Sequence, residues 1–254
     1  MGLLDGKRAA VFGVANEHSL AWAIARSFHE EGARVALSHA GTPFEKRVRP
    51  LAERIGSELV FPCDVREDGA IVEAANRVGE AWGRLDILVH SIAFAERSDL
   101  QGRFVDTGRE GFRTALEVSV YSLVALARAF EGLMGPGAIL TLTYIGSRRV
   151  VPNYNVMGVA KAALEASVRY LAHDLGRSGI RVNAISAGPV RTLSAAGVRG
   201  FRDMLRHHAE VAPLRRNVSA EEVARGALYL CSDLASGVTG EVLYVDAGYH
   251  VLAR

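Results

Sequence analysis

The sequence predicts an α/β protein with a single doubly wound domain, in which helices cover both faces of a seven-stranded parallel sheet. Two observations support this prediction. Short apolar runs rich in β-branched residues alternate with longer segments of helical period, which is the order of strand–helix–strand units. The 254 residues also contain no internal repeat, low-complexity linker or shift in composition, so we expect one domain over residues 1–254.

The predicted strands are short segments in which apolar residues follow one another with little polar alternation, as in strands buried on both faces. In chain order they are 8–14 (RAAVFGV), 34–38 (RVALS), 59–63 (LVFPC), 85–89 (LDILV), 138–143 (AILTLT), 181–185 (RVNAI) and 241–245 (EVLYV). The predicted helices lie at 19–31, 70–82, 111–131, 154–177 and 220–231. Parallel strands joined in this way need right-handed crossovers, and the result is a Rossmann fold.

Residues suited to ligand contact stand where several of these strands end. In an open parallel sheet, ligands bind outside the carboxyl ends of the strands, so these residues are candidates for a binding site. From the first to the sixth strand they are Gly13, Asp64, Ser91, Ile92, Ala93, Tyr144, Gly188 and Pro189.

Composition argues against several classes of function. The formal net charge of +2 is too small to indicate nucleic acid or a membrane surface as the main partner. No apolar run approaches the roughly 18 residues of a membrane span, and the N-terminus lacks the apolar block of a signal peptide, so we expect a cytoplasmic protein. Cys63 and Cys231 are most simply buried thiols, and no histidine pattern indicates a metal site.

The turn after the first strand is a candidate dinucleotide site. Gly13 permits a tight turn, and Ser19 stands where the first helix begins, so that a hydroxyl and helix N-terminal amides face a pyrophosphate. The segment lacks the GxGxxG spacing, and Ser19 also fits a plain helix cap. Asp64 is placed either to accept a hydrogen bond from an adenine amino group or to cap the helix that follows it.

The end of the second strand bears on the choice between NADH and NADPH. Residues 37–41 read LSHAG, with no Asp or Glu to hold a ribose 2′-hydroxyl. Lys46, Arg47 and Arg49 lie further on, where they either meet a 2′-phosphate or form a solvated helix face. We favour NADH because no basic residue sits in the turn itself, and NADPH stays an alternative.

The most specific feature is a tyrosine followed seven residues later by a lysine, Tyr154 and Lys161, in a chain with 27 arginines but three lysines. If the segment after Pro152 is helical, the two side chains lie about two turns apart on one face. A phenol beside an ammonium is a suitable donor where negative charge develops in a reductase. The alternative is a core tyrosine and a surface lysine at chance spacing.

Three segments carry a resemblance to a known family. They are residues 90–95 (HSIAFA), 152–158 (PNYNVMG) with Lys161, and 181–193 (RVNAISAGPVRTL), and residues 63–65 and 240–248 add support. They resemble the bacterial enoyl-acyl carrier protein reductases, a divergent branch of the short-chain dehydrogenase/reductase superfamily. Ordinary members of the superfamily carry Tyr-x3-Lys, but Gly158 stands four residues after Tyr154, so Tyr-x6-Lys holds instead.

The resemblance covers essentially the whole chain and implies an NADH-dependent enoyl-acyl carrier protein reductase. Tyr154 and Lys161 would be the catalytic pair, and Tyr144 the second active-site tyrosine. The positions implied to contact the dinucleotide are Gly13, Ser19, Leu20, Ala40, Asp64, Val65, Ser91, Ile92, Ala93, Lys161, Val190, Thr192, Leu193 and Ser194. Those implied to contact the acyl substrate are Ala95, Tyr144, Tyr154, Met157 and Phe201. Ala40 departs from the family's pattern, since its methyl group makes no polar contact with a ribose.

The implied reaction delivers hydride to the β-carbon of a trans-2-enoyl thioester, so that negative charge appears on the thioester oxygen as an enolate. Tyr154 would hydrogen-bond that oxygen, Lys161 would hold the nicotinamide ribose, and Tyr144 would either orient Tyr154 or pack against the acyl chain. Two alternatives stay open. One is a short-chain reductase acting on a carbonyl, which the missing Tyr-x3-Lys disfavours, and the other is a non-catalytic dinucleotide sensor.

The segment after the sixth strand is a candidate lid over the substrate. Residues 188–212 form a long, apolar connection at a strand's carboxyl end, where such insertions commonly close over substrates. Arg199, Arg202 and Arg206 are spaced i, i+3, i+7 and share a helix face, which is either a solvated side or a docking surface for the acidic acyl carrier protein. By resemblance we also expect a homotetramer.

Overall fold

The computed structural model describes residues 2–192 and 198–253, and a seven-stranded sheet runs through its centre. The strands are β1 (Arg8–Phe12), β2 (Arg34–His39), β3 (Val60–Pro62), β4 (Leu85–His90), β5 (Met134–Thr143), β6 (Ile180–Ala187) and β7 (Val242–Val245). They lie in the order β3-β2-β1-β4-β5-β6-β7, and every neighbouring pair is parallel. The order reverses between β1 and β4, which opens a crevice at the carboxyl edge. The predicted sheet is confirmed.

Helices cover both faces of the sheet. They are α1 (Leu20–Glu30), α2 (Thr42–Arg54), α3 (Asp68–Trp82), α4 (Arg109–Leu116), α5 (Ser122–Phe130), α6 (Val156–Leu175), α7 (Phe201–Val211) and α8 (Ala220–Cys231). Helices α1, α2 and α8 bury their apolar sides in one core, and α3, α5 and α6 do so in the other. In the ranges 2–192 and 198–253, no helix is both long and apolar enough to cross a membrane.

Strand β5 begins earlier than predicted, at Met134 instead of residue 138. Its first residues include Gly135, Pro136 and Gly137, which interrupt the apolar pattern on which the prediction was based. The pairing of β4 with β5 shifts register between Leu85 and Ile87, so these residues join the sheet through an irregular stretch.

The predicted helix over residues 111–131 is interrupted. Helix α4 ends at Leu116, a π-helical segment spans Glu117–Tyr121, and α5 starts at Ser122. A π turn contains one residue more than an α turn, and such insertions are frequent at functional sites.

The prediction that Tyr154 lies inside a helix is wrong, because α6 begins at Val156. The residues on either side of Tyr154, Asn153 and Asn155, have φ values of 64° and 41°, in the left-handed region that an α-helix does not use. Tyr154 therefore lies in a turn before the helix, and its position relative to Lys161 depends on that turn.

Candidate active site

A cavity of about 380 Å³ opens at the carboxyl edge of the sheet, beside the point where the strand order reverses. It brings together most of the residues that the sequence singles out. Those lining it are Gly13, Ser19, Leu20, Ser91, Ile92, Ala93, Ala95, Tyr144, Tyr154, Met157, Lys161, Val190, Thr192 and Phe201.

The turn between β1 and α1 needs a glycine at its start. Gly13 has a φ of +99°, and a Cβ atom at this position would lie 2.1 Å from the carbonyl oxygen of Ser91. Ser19 Oγ accepts a hydrogen bond from Trp22 N at 3.4 Å, so Ser19 is the N-cap of α1. The cap and the turn together direct the N-terminus of α1 towards the cavity, where its amides favour an anion.

Lys161 is a buried cation in the cavity wall. The residue is 5% exposed, and its Nζ donates a hydrogen bond to the carbonyl oxygen of Leu142 at 2.7 Å. Burial lowers the pKa of Lys161 to about 8, and the nearby Glu165 acts in the opposite direction. Lys161 is therefore an ammonium at neutral pH, but its pKa is closer to neutral pH than that of an ordinary lysine.

The two tyrosines of the cavity contact each other. The rings of Tyr144 and Tyr154 have centroids 5.0 Å apart and meet at 68°, an edge-to-face arrangement. Tyr144 Oη donates to the sulfur of Met204 at 3.2 Å. Burial raises the pKa of both phenols, so at neutral pH each is a neutral hydrogen-bond donor.

Two glycines let the ring of Tyr154 sit where it does. A Cβ atom on Gly146 would lie 2.5 Å from Tyr154 Cδ1, and one on Gly158 would lie 2.8 Å from the carbonyl oxygen of Gly146. The turn around Tyr154 is also held by Asn155, whose Nδ2 donates to the carbonyl oxygen of Asp99 at 3.1 Å. The sequence reasoning missed these supports, because each joins residues that are distant in the chain.

One side of the cavity, around Met157, is apolar. Met157 and Val198 are buried in a small cluster against which Ala95 and Tyr154 pack. The lining also includes Leu100, which the sequence did not single out, Phe94 of the 90–95 motif, and Val198 and Met204 of the predicted lid segment.

Ser119, in the π-helical segment, fixes part of this wall. Its Oγ accepts from Phe94 N at 3.0 Å and donates to Phe94 O at 3.2 Å, so one hydroxyl holds both polar groups of that residue's backbone. The residue is fully buried. The interruption of the helix between α4 and α5 thus supports the Ala93–Phe94–Ala95 segment.

His90 lies beneath the site as a neutral residue. Ser122 Oγ donates to Val118 O at 2.7 Å and so accepts from His90 Nε2, at 2.8 Å, while His90 Nδ1 pairs with Thr141 Oγ1 at 2.8 Å. Burial, together with the charge of Lys161, lowers the pKa of His90 to about 3. The proton on Nε2 follows from this pattern of donors and acceptors.

Some predicted residues lie elsewhere. Ala40, Asp64 and Val65 are at the ends of β2 and β3 and do not line the cavity, and the Asp64 carboxylate is paired with Arg66 at 2.5 Å. Leu193 and Ser194 are outside the described residues. Within residues 2–192 and 198–253, no group of three or more His, Cys, Asp or Glu side chains is arranged to hold a metal ion.

Proteins of known function with similar sequences show the family of this chain. A family model described as enoyl-(acyl carrier protein) reductase matches residues 13–250. The chain belongs to this family. It is 52% identical over 254 residues to the NADH enoyl-acyl carrier protein reductase of Aquifex aeolicus strain VF5, which covers 99% of this chain and 94% of that protein. The corresponding NADH enzyme of Bacillus cereus strain ATCC 14579 is 55% identical over 255 residues, with 99% and 100% covered.

Solved structures of such enoyl reductases have the same fold. The crystal structure of the Aquifex aeolicus NADH enzyme matches with a TM-score of 0.97 and 51% identity over 100% of both chains. The Bacillus cereus enzyme, crystallised with NADP⁺ and an indole naphthyridinone, matches with a TM-score of 0.98 and 54% identity over 100% of both chains. The predicted fold and family are confirmed, and with them the class of enzyme, an oxidoreductase of the enoyl-(acyl carrier protein) reductase type.

Proposed function

We propose that the chain reduces the trans-2 double bond of enoyl-acyl carrier protein thioesters with NADH, the final reductive step of the fatty-acid elongation cycle. The observation that carries the proposal is the meeting of Tyr144, Tyr154 and Lys161 in one cavity at the carboxyl edge of the sheet. Tyr154 and Lys161 have the Tyr-x6-Lys spacing on which the resemblance to the enoyl-acyl carrier protein reductases rests.

The turn between β1 and α1 fits a dinucleotide. Gly13 lines the cavity, and its close approach to the Ser91 carbonyl leaves no room for a side chain, so the turn presents bare backbone there. The capped N-terminus of α1 offers amides to a pyrophosphate. NADH, when bound, supplies the hydride. We assign its contacts to Gly13, Ser19, Leu20, Ser91, Ile92, Ala93, Lys161, Val190 and Thr192, with Ala40, Asp64 and Val65 on the adenosine side and Leu193 and Ser194 beyond the described residues.

NADH is the better fit because of the end of β2. Ala40 is exposed there and has a methyl group in place of a polar side chain, so it offers no positive charge to a 2′-phosphate. The relatives from Aquifex aeolicus and Bacillus cereus are named as NADH enzymes.

Tyr154 is the donor to the substrate oxygen in this proposal. When the β-carbon of the enoyl thioester gains a hydride, negative charge moves to the thioester oxygen. A neutral phenol held in a buried site stabilises that charge by hydrogen bonding, with an effect of about 2.7–4 kcal/mol for a typical oxyanion donor. The raised pKa of Tyr154 supports this role, since it keeps the proton on the phenol.

In this proposal Lys161 and Tyr144 assist Tyr154. The Lys161 ammonium, fixed by the Leu142 carbonyl, is placed to hold the nicotinamide ribose and to keep the potential of the cavity positive. Tyr144 packs edge-on against Tyr154 and is bound to Met204 of α7. We assign Tyr144 the role of orienting Tyr154, while Ala95, Met157 and Phe201 contact the acyl group.

Helix α7 covers the acyl end of the cavity. Phe201 and Met204 line the cavity, and Arg202 and Arg206 on the same helix are exposed. Residues 188–212 are therefore our candidate for a substrate lid, although 193–197 lie outside the described residues. Arg199, Arg202 and Arg206 are our candidates for docking the acidic carrier protein beside the cavity.

Two further proposals concern the enzyme as a whole. We propose a homotetramer, as the resemblance to the family implies, which sedimentation equilibrium of the purified protein would measure. We also propose that it works in the cytoplasm. A monomer at micromolar concentration would contradict the first of these.

The test of the function is an absorbance assay with NADH and NADPH side by side, using crotonyl and longer trans-2-enoyl thioesters. We expect oxidation of NADH that depends on the enoyl thioester, with a higher kcat/KM than for NADPH. A ketone or alcohol substrate serves as the comparison. Turnover of the carbonyl substrate without turnover of any enoyl thioester would contradict the proposal.

A further inference from the structure

A buried acidic residue, Glu165, lies beside the proposed catalytic residues but does not line the cavity. The residue is 4% exposed, and it stands four residues after Lys161 on α6, so the two side chains share a helix face. A buried carboxylate is costly unless other groups satisfy it. Its partners therefore indicate what it does.

The partners of Glu165 come from the end of β5 and the turn that follows. Thr143 Oγ1 donates to Glu165 Oε1 at 2.8 Å, and Ser147 Oγ donates to the same oxygen at 2.5 Å. Arg148 Nε lies 3.5 Å from Oε2. One carboxylate thus fixes both sides of Tyr144, which stands between Thr143 and Ser147 in the chain.

Lys161 contacts the adjacent residue of the same strand. Its Nζ donates to Leu142 O, while Glu165, one helical turn later, binds the side chain of Thr143. Helix α6 is therefore tied to two consecutive residues at the carboxyl end of β5. Both Leu142 and Thr143 line the cavity, so this connection sets the distance between the lysine and the strand.

We propose that Glu165 is a positioning residue for the reduction: its carboxylate fixes α6 against the end of β5 and supplies the negative charge that keeps Lys161 in its ammonium form. This inference rests on the proposed function and deepens it. Glu165 acts through Lys161 and Thr143 and contacts neither the cofactor nor the substrate.

The charges around the pair support this role. Among the described residues, the titratable groups near Lys161 and Glu165 include His90, Tyr144, Tyr154, Tyr244 and Arg148. Burial lowers the pKa of His90 to about 3 and raises that of the three tyrosines above its ordinary value. Lys161, whose pKa burial lowers to about 8, therefore loses its charge as the pH rises just above neutral.

The pKa of Lys161 determines the direction of the pH effect. Burial lowers the pKa of Lys161 to about 8, so a step that needs the ammonium is lost as the pH rises through that value. Removing the negative charge of Glu165 favours the neutral amine further. In Glu165→Gln, the alkaline limb of kcat/KM should move to lower pH by about one unit, the lower end of what a nearby opposite charge produces.

Two measurements on the full-length protein test this inference. The first is the pH profile of kcat/KM for NADH-dependent reduction of crotonyl thioester, and the second is the dissociation constant of NADH against pH, read from NADH fluorescence. Ser147→Ala is the matched control, because it removes a hydrogen bond to the same oxygen and leaves the charge in place. Its alkaline limb should stay where it is in the unmodified protein.

A second variant covers the case in which Glu165→Gln does not fold. Arg148→Gln removes a half-exposed positive charge next to the carboxylate, so the limb should move to higher pH, opposite to the effect of Glu165→Gln. If Glu165→Gln is folded and only lowers the rate equally at every pH, or if its limb moves no further than that of Ser147→Ala, the inference is overturned. An unmoved limb in Arg148→Gln overturns it as well.

The two readouts separate this inference from the proposed function. If the unmodified protein binds NADH but reduces no enoyl thioester, the proposed function fails, while a shift in the pH dependence of NADH binding in Glu165→Gln still supports the role of Glu165. If the unmodified protein reduces the thioester and the variant shows no shift in either measurement, the inference alone fails.

Discussion

The two tyrosines of the candidate active site differ in what their side chains contact. Tyr144 donates its hydroxyl to Met204 Sδ at 3.2 Å, which connects it to α7. Tyr154 presents its ring to Tyr144 and is packed against Gly146, in the turn that precedes α6. Both phenols keep their protons at neutral pH because burial raises the pKa of each. We therefore expect Tyr154 to donate to the enolate and Tyr144 to hold Tyr154 in place.

The substitution Tyr154→Phe preserves the ring packing and removes the donor. We expect kcat/KM for crotonyl thioester to fall about 100- to 1000-fold, as for the loss of an oxyanion donor. Tyr144→Phe should lower it less, because that hydroxyl contacts a sulfur. Steady-state kinetics provide the measurement, and Tyr170→Phe, at an exposed position of α6, is the control. Equal, small losses in the two active-site variants would leave the donor role unsupported.

The residues that could be predicted from the sequence are those whose chemistry shows in their spacing. Tyr154 and Lys161 are in this group, since a lysine is rare in this chain and the spacing of seven is specific. Glu165 is not, because its partners Thr143 and Ser147 are 22 and 18 residues away. A glutamate in an amphipathic helix gives no local sign that it is buried and paired.

Among the elements, the contact between the start of α6 and the turn after β5 is the most demanding. Gly158 on α6 faces the backbone of Gly146, and a Cβ atom there would lie 2.8 Å from the Gly146 carbonyl oxygen. Backbone cannot move aside as a flexible side chain does. The close approach therefore holds Tyr144 and Tyr154 in their observed positions.

Gly158→Ala should push these two segments apart. We expect a loss of about 1–3 kcal/mol in the free energy of unfolding, which is typical of overpacking, together with a lower kcat/KM. Gly69→Ala, near the start of α3, is the matched control, because nothing lies within 4 Å of its added methyl group. Urea unfolding measures both variants. A Gly158→Ala protein as stable and active as the unmodified one would show that the approach is not needed.

The strands are easier to predict from the sequence than the helix boundaries. Continuous apolar runs mark strands covered on both faces, and the seven predicted strands were found. The π-helical segment at Glu117–Tyr121 was missed, because apolar residues are so dense in α5 that they hide the change of helical phase. In this segment Ser119 binds the backbone of Phe94, a contact between residues that are distant in the chain.

Across the whole molecule, charge is unevenly distributed. The net charge is +2, yet residues 191–216 contain six arginines against Asp203 and Glu210. Arg206 is paired with Asp203 at 2.8 Å, and Arg202 is exposed on the same helix. That helix, α7, also contributes Phe201 and Met204 to the cavity wall, so a carrier protein bound to the arginines would have its thioester near the active site.

Charge reversal at Arg202 tests this arrangement, because an acidic carrier protein is steered by the positive surface and an uncharged thioester is not. Arg202→Glu should lower kcat/KM for the carrier-bound enoyl substrate about tenfold at low salt, the lower end of typical steering effects, and the loss should shrink as salt screens the charges. The same variant should reduce an uncharged N-acetylcysteamine thioester within about twofold of the unmodified rate, since no charge steers that substrate. Arg225→Glu, at an exposed position on α8, reverses an equal charge elsewhere and serves as the control. An equal loss with both substrates, or the same loss in the control, would mean that the carrier protein binds some other surface.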